Sequence, residues 1–170
     1  MLHVMKAILA MLATIAILSP LAAIADAPIP LGPDKGVFGD WTAATYGSGP
    51  SKICYAFTKP QSTTPVLPSR GLTMLTVTER HGSHDEVSLT PGYTYPSDAA
   101  IDMQLGREHL SFYVQDNVAF TDDVTRALSG FANQSDADVT ATGPGAKKLT
   151  DTFSLKGFSA AYRAIENACP

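Results

Sequence analysis

Residues 101–115 read IDMQLGREHLSFYVQ and contain two runs of alternating apolar and polar side chains on either side of Gly106-Arg107-Glu108. The apolar positions of the two runs are Ile101, Met103, Leu105, Leu110, Phe112 and Val114. Successive side chains of a β-strand point to opposite faces of the sheet, so a period of two residues places each apolar set on one face. The stretch therefore predicts two antiparallel strands joined by a tight turn, with one face buried.

The chain on either side continues in short segments of the same kind, separated by glycine- and proline-rich turns. Strands are predicted over WTAATY (41–46), KICYAFTK (52–59), LTMLTVTER (72–80), EVSLTPGYTY (86–95, bent at Pro91-Gly92), 137–142 and 150–155. Residues 60–71 contain three prolines and are predicted to be an irregular loop. Regularly punctuated short strands favour a mainly β fold, an antiparallel β-sandwich with an Ig-like two-sheet architecture.

Two segments have the spacing of amphipathic helices. In residues 122–133, Val124, Leu128 and Phe131 fall at i, i+4 and i+7, which predicts a short helix with Thr121 or Asp122 as its N-cap. The C-terminal segment has the longer apolar stripe, made of Phe158, Ala161, Tyr162, Ile165 and Cys169. We expect this terminal helix to pack at the edge of the sandwich.

The first 25 residues have the three parts of a secretory signal peptide. Lys6 supplies the positive charge, residues 7–18 form a short apolar run, and Ala23-Ile24-Ala25 provides a cleavage site with small residues. A membrane-spanning helix needs about 20 apolar residues, so residues 1–25 are predicted to be cleaved and the mature protein to have no stable membrane insertion. Residues 26–36 are predicted to be an extended, poorly ordered lead-in, and residues 37–170 a single domain.

The charge balance limits the classes of partner. The chain has 12 Lys and Arg residues against 16 Asp and Glu residues, a formal net charge of −4, and its basic residues form no cluster. An acidic domain is a poor ligand for phosphate backbones and for anionic membrane surfaces. We therefore expect no nucleic acid partner. For an exported interaction protein, the expected partner is an envelope or extracellular protein, whose identity the sequence does not give.

The chain has two cysteines, Cys54 and Cys169, and both follow the predicted signal peptide. Disulfides form and persist in oxidising compartments, so the pair predicts one disulfide in a periplasmic or secreted protein. Because Cys169 lies on the stripe of the terminal helix, the bridge is expected to hold that helix against the strand around Cys54. It would also remove both sulfurs from any catalytic role.

Several segments together resemble the invasion-associated locus B family of exported bacterial proteins. They are Phe38-Gly39-Asp40-Trp41, Cys54-Tyr55-Ala56, LTVTER (75–80), Gly92-Tyr93 with Tyr95, and Phe153-Ser154-Leu155-Lys156-Gly157-Phe158 leading to Cys169. The resemblance covers about residues 37–170. It implies a β-sandwich, a single disulfide and an envelope or secreted location. It carries over no catalytic residues and does not by itself imply a role in invasion.

One cluster in the sequence has the residue types of a metal site. His81, His84, Asp85 and Glu86 lie within six positions and could hold zinc or copper if the loop folds around the ion. The alternative is a solvated hairpin tip, which has the same composition. No serine stands in a G-x-S-x-G elbow and no C-x-x-C occurs, so the sequence predicts no enzyme and no cofactor.

The aromatic residues of the strands allow a binding role. Tyr55 and Phe57 share one face of their strand, and Tyr93 and Tyr95 share another, so an exposed aromatic stripe is one interpretation and cross-strand or core pairing is the other. Overall the sequence predicts an exported, non-enzymatic interaction protein. The alternatives are a small-molecule or metal-binding protein that uses the His81–Glu86 loop, and an uncharacterised hydrolase.

Overall fold

A computed structural model of the protein describes residues 27–80, 82 and 85–170. In chain order the strands are β1 (Ile29–Pro30), β2 (Val37–Phe38), β3 (Trp41–Tyr46), β4 (Ile53–Thr58), β5 (Ser62–Thr64), β6 (Met74–Arg80), β7 (Glu86–Thr90), β8 (Ile101–Leu105), β9 (Glu108–Gln115), β10 (Val118–Phe120), β11 (Asp136–Thr142) and β12 (Lys148–Ser154). The helices are α1 (Val124–Asn133) and α2 (Phe158–Ala168). No helix of this described part is long and apolar enough to cross a membrane.

The twelve strands form one open antiparallel sheet in the order β1-β3-β4-β6-β7-β10-β9-β8-β11-β12-β5, with β2 also paired to β3. β9 belongs to two halves of this sheet, because its residues 108–112 pair with β8 and its residues 113–115 pair with β10. We call the part from β1 to β10 the first half-sheet and the part from β8 to β5 the second half-sheet. The prediction of a mainly β, antiparallel, sandwich-like fold with a short helix and a C-terminal helix is confirmed.

Trp41 lies at the centre of the core and has no exposed surface. Its ring centroid is 5.0 Å from that of Phe158 in α2 and 6.2 Å from that of Phe131 in α1. Its indole N–H donates a 3.0 Å hydrogen bond to the carbonyl oxygen of Ser154 in β12. One side chain of the first half-sheet therefore contacts both helices and the second half-sheet, and it satisfies its own polar group while doing so.

The turn that precedes Trp41 contacts the start of α2 through its backbone. Gly157 has φ of +95°, and a Cβ at this position would overlap the carbonyl oxygen of Phe38. Gly39 has φ of +60°, and a Cβ there would lie 2.6 Å from the carbonyl oxygen of Lys156. The amide N–H of Asp40 donates to that same Lys156 oxygen at 3.0 Å. Glycine is therefore required at both positions, because the backbone there is left-handed and the opposing backbone lies too close to leave room for a Cβ.

The predicted disulfide is confirmed. Cys54 in the middle of β4 is bonded to Cys169, which follows α2, with a Cα–Cα distance of 6.0 Å and a sequence separation of 115 residues. Both cysteines are buried. The ammonium group of Lys52, the residue before β4, donates to the carbonyl oxygen of Ala168 at 2.7 Å and makes a second contact with the end of the helix.

The segment 60–71 is more ordered than the sequence predicted. Residues 62–64 form β5, which pairs with β12, and the side chain of Arg70 is only 10% exposed. Arg70 makes a bidentate ion pair with Asp151 at 2.6 and 2.7 Å and donates from Nε to the carbonyl oxygen of Pro91. The buried ion pair therefore fixes a loop that its prolines alone would leave irregular.

Smaller differences have local causes. β1 pairs with β3, so part of the lead-in is attached to the sheet, and β2 and β10 are strands of two and three residues that show no periodicity. The strand predicted over 86–95 ends at Thr90. The N-cap of α1 is Asp123, whose N–H donates to the Thr121 hydroxyl at 3.2 Å, instead of Thr121 or Asp122.

Reduction of the Cys54–Cys169 disulfide is expected to lower the Tm by at least several degrees. Closing a loop of about 100 residues stabilises a fold by up to about 4.7 kcal/mol, and a loss of 1 kcal/mol shifts the Tm by about 2–4 °C. Thermal melts with and without reductant measure the shift. The double variant Cys54→Ala/Cys169→Ala should have the Tm of the reduced protein, and that Tm should not change when reductant is added. An unchanged Tm after complete reduction would contradict the proposed stabilisation.

Gly157→Ala is expected to destabilise the protein much more than Gly145→Ala. Both glycines have positive φ, so each substitution costs about 1–2 kcal/mol of backbone energy. Only the new Cβ at position 157 overlaps backbone, whereas that at position 145 has nothing within 4 Å. Urea denaturation of the two variants compares these costs. Equal losses of unfolding free energy would show that the approach of Phe38 to Gly157 is not a constraint.

Candidate functional site: an aromatic row and its adjoining cleft

The outer face of the first half-sheet carries a row of side chains that crosses five strands. Cross-strand partners in this row are Phe57 of β4, Thr76 of β6, Ser88 of β7, Phe120 of β10 and Tyr113 of β9. Their chain neighbours Ala56, Val77, Val87 and Ala119 are fully buried and face the core. Alternation therefore directs these five side chains away from the core, and we call them the aromatic row.

The rings of the aromatic row belong to two pairs. Phe57 stacks on Tyr55, with centroids 6.1 Å apart and planes at 29°. Tyr113 lies beside Phe120, with centroids 6.0 Å apart and planes at 33°, and is 47% exposed. Three strand spacings separate β4 from β10, which is roughly 14 Å. Thr76 and Ser88 lie between the pairs, so two aromatic walls border a floor of hydroxyl groups.

A cleft of about 360 Å³ adjoins the Phe57 end of the row. Its lining consists of Asp40, Thr42, Phe57, Thr58, Lys59 and Gln61. The Asp40 carboxylate is oriented by the Ser154 hydroxyl, which donates to Oδ2 at 2.7 Å, and the Thr58 hydroxyl donates to the Asp40 carbonyl oxygen at 2.8 Å. The side chains of Lys59 and Gln61 form no hydrogen bond or ion pair with another described residue.

The sequence allowed two interpretations of the aromatic residues, an exposed stripe and cross-strand or core pairing. Each describes some of these residues. Tyr55, Phe57, Phe120 and Tyr113 lie on the outer face as pairs. Tyr93 and Tyr95 instead pack edge to face at 5.5 Å, and the Arg70 guanidinium lies 5.2 Å from the Tyr93 ring centroid. Burial raises the pKa of both Tyr93 and Tyr95, as expected for rings in the interior.

A second polar cluster lies where α2 meets the β6–β7 hairpin. The Tyr162 hydroxyl donates to Asp85 Oδ2 at 2.6 Å. Burial, together with a hydrogen bond to Asp85 and the charges of Asp85 and Glu166, raises the pKa of Glu79 to about 8. Asp85 Oδ1 is buried and has no hydrogen-bond partner within the described part of the chain. Burial and the hydrogen bond to Asp85 also raise the pKa of Tyr162.

The predicted metal site falls partly on this cluster. His81 and His84 lie outside the described residues, so their part in a site stays a prediction. Of the other two candidates, Asp85 accepts the Tyr162 hydrogen bond and Glu86 lies 3.5 Å from Arg80 in an exposed ion pair. Within residues 27–80, 82 and 85–170, no three His, Cys, Asp or Glu side chains are grouped to hold a metal ion.

Two further clefts lie elsewhere on the surface. One of about 330 Å³ lies between α1 and the β8–β9 hairpin, where Arg126 bridges Glu108 and Asp123. The other, of about 420 Å³, lies on the outer face of the second half-sheet, beside the exposed pair of Asp102 and His109. The first has a mainly polar lining with Leu105 at its base, and the second has a mixed lining that includes Ile101 and Ala141.

The fold and the surface together describe a mainly β protein with a C-terminal helix held by a disulfide and an outer sheet face that carries paired aromatic rings. Comparison with solved structures finds the crystal structure of invasion associated protein B from Bartonella henselae, with a TM-score of 0.57 and 14% sequence identity over 78% of this chain and 94% of that chain. No family model and no curated protein matches the chain. The finding supports a distant structural relationship, and at this identity it shows a shared fold.

The cleft and the full extent of the row were not found by reading the sequence. Strand periodicity places Tyr55 and Phe57 on one face, but Thr42 and Phe57 come together only through the register of β3 with β4, and Phe120 lies in a strand too short to show alternation. Gln61 joins the cleft because its N–H donates to the carbonyl oxygen of Thr152 at 2.8 Å. That contact has no signal in the local sequence.

Glu79→Gln is expected to raise stability at pH 8 and above and to change it little at pH 5. The pKa of Glu79 is raised from 4.5 to about 8, so between these values the native state keeps a proton that the unfolded chain releases. The contribution of this group is therefore complete at acidic pH and is lost as the pH rises through about 8. Urea denaturation from pH 5 to 9 measures how the free energy of unfolding changes with pH.

Glu108→Gln is the matched control for this experiment, since it removes one exposed carboxylate that pairs with Arg126 far from the cluster. The free energy of unfolding of this variant should fall with rising pH as steeply as that of the wild type. If Glu79→Gln keeps that decline too, the carboxyl cluster does not control it.

Proposed function

We propose that this protein is an exported, non-enzymatic binding module that attaches to a partner in the cell envelope through the aromatic row. The observation that carries the proposal is the row itself, whose three rings belong to two aromatic pairs on the outer face of the sheet and whose five members include no charged side chain. Aromatic rings contribute much contact area at a low entropic cost, which suits them to recognition surfaces.

The state of the reactive groups supports a binding role. Both cysteines are in the disulfide, and Arg70 and Asp151 neutralise each other beneath the surface. Tyr162 and Glu79 both interact with Asp85 where the hairpin meets the helix. Such groups are committed to the fold, and a catalyst would need them free in a shared cleft.

Two features support export. The sequence begins with a segment that has the parts of a signal peptide, and the mature domain contains a disulfide that an oxidising compartment would preserve. The similar crystal structure is that of a protein named for its association with invasion. The proposal uses only the fold of that neighbour and assigns this protein no role in invasion.

A photo-crosslinking amino acid placed in intact cells tests the proposal. At position 113, where the native Tyr113 is 47% exposed on the aromatic row, irradiation should give a discrete adduct in the envelope fraction. At position 66, where the native Val66 is 81% exposed in the loop before Arg70, the same adduct should be absent. Identical adducts at both positions, or a protein found only in the cytoplasmic fraction, would contradict the proposed function.

A further inference from the structure

We propose that the aromatic row and its adjoining cleft bind an uncharged β-1,4-linked chain of N-acetylhexosamine sugars, with the cleft holding one sugar and the row stacking on the sugars that follow. This inference rests on the proposed function and names the class of partner. It assigns a binding role to Phe57, which belongs to both the cleft and the row.

The shape of the surface suits a flat chain. The row follows cross-strand partners, so Phe57, Phe120 and Tyr113 extend in one line across neighbouring strands at the same height on the sheet. β-1,4-linked pyranoses form extended ribbons whose ring faces present C–H groups. Those faces carry partial positive charge and stack on the negative faces of aromatic rings. An α-linked chain coils and would meet one wall of the row but not both.

The cleft supplies the polar part of recognition. The Asp40 carboxylate is fixed by Ser154 and accepts hydrogen bonds, while Lys59 and Gln61 have donors that no described residue uses. Thr42, the cross-strand partner of Phe57, adds a hydroxyl beside the ring. A ring wall with convergent carboxylate, amide, ammonium and hydroxyl groups matches a ligand that has a hydroxyl or acetamido group on nearly every carbon.

Charge selects among partners. The row has no charged side chain, and the adjoining cleft holds one carboxylate, that of Asp40, and one ammonium group, that of Lys59, so the site offers no excess counter-charge to an anionic or a cationic partner. An apolar helix could fill the space between the walls, but it would bury the hydroxyls of Thr76 and Ser88 without partners. An uncharged ligand rich in hydroxyl groups avoids both costs.

Isothermal titration of the mature protein with chitohexaose, an uncharged β-1,4-linked N-acetylglucosamine oligomer, tests the inference. Saturable binding is expected, and maltohexaose, its α-1,4-linked counterpart in length, should bind at least about tenfold more weakly. Phe57→Ala should weaken chitohexaose binding by about three- to tenfold, since an aromatic stack is worth that factor. Val66→Ala, an apolar truncation away from the row, should bind like the wild type.

A second variant separates recognition from folding. Gln61→Ala removes an exposed side chain and keeps the backbone hydrogen bond to Thr152, so its Tm should be unchanged while its affinity falls by about three- to tenfold. Absence of saturable binding to chitohexaose, equal binding of maltohexaose, or wild-type affinity in both Phe57→Ala and Gln61→Ala would overturn the inference.

The two proposals fail in different ways. A discrete adduct at position 113 together with no chitohexaose binding would leave the binding module intact and reject the glycan. Collapse of that adduct's size on digestion by an enzyme that cleaves β-1,4-linked N-acetylhexosamine chains would support the glycan. A size unaffected by that enzyme would count against it.

Discussion

The close approach between the Phe38-Gly39 turn and Gly157 is the constraint on which the rest of the structure depends. It can form only because two glycines with positive φ face each other across the gap. It sets the first residue of α2, and the disulfide to Cys54 sets the position of the residue that follows its last turn. Because both ends of α2 are fixed, only one face of this helix can contact the sheet. α2 therefore covers the inner side of β3 and β4 and does not cover their outer side.

A buried ion pair has a comparable role in the loop before β6. Arg70 and Asp151 are each about nine-tenths buried, and removing two charges from water is costly unless every donor and acceptor is used. The guanidinium here satisfies Asp151, Thr63 and the carbonyl oxygen of Pro91, which belong to β12, β5 and the end of β7. The pair therefore fixes the position of β5 against β12 and ties both half-sheets to one side chain.

Much of the fold could be predicted from the sequence because period-two alternation and helical spacing are local signals. They located β3, β4, β6, β8, β9, α2 and, through the cysteine count, the disulfide. The strands that were missed, such as β5 and β10, have three residues and owe their form to pairing with distant segments. The candidate site could be predicted only in part for the same reason. Alternation says which face Phe57 occupies, but not that Phe120 and Thr42 lie on that face beside it.

The two faces of β6 separate the titratable groups from the aromatic row. Glu79 is the cross-strand partner of Cys54 and faces the helix, whereas Thr76 and Thr78 are partners of Phe57 and Tyr55 and face outward. A carboxyl group with a pKa near neutrality thus lies on the opposite side of the sheet from any molecule bound to the row. A general acid must come within hydrogen-bond reach of its substrate, and the thickness of the sheet prevents this. The alternation that turns the aromatic row outward therefore also turns the Glu79 carboxyl group toward the helix.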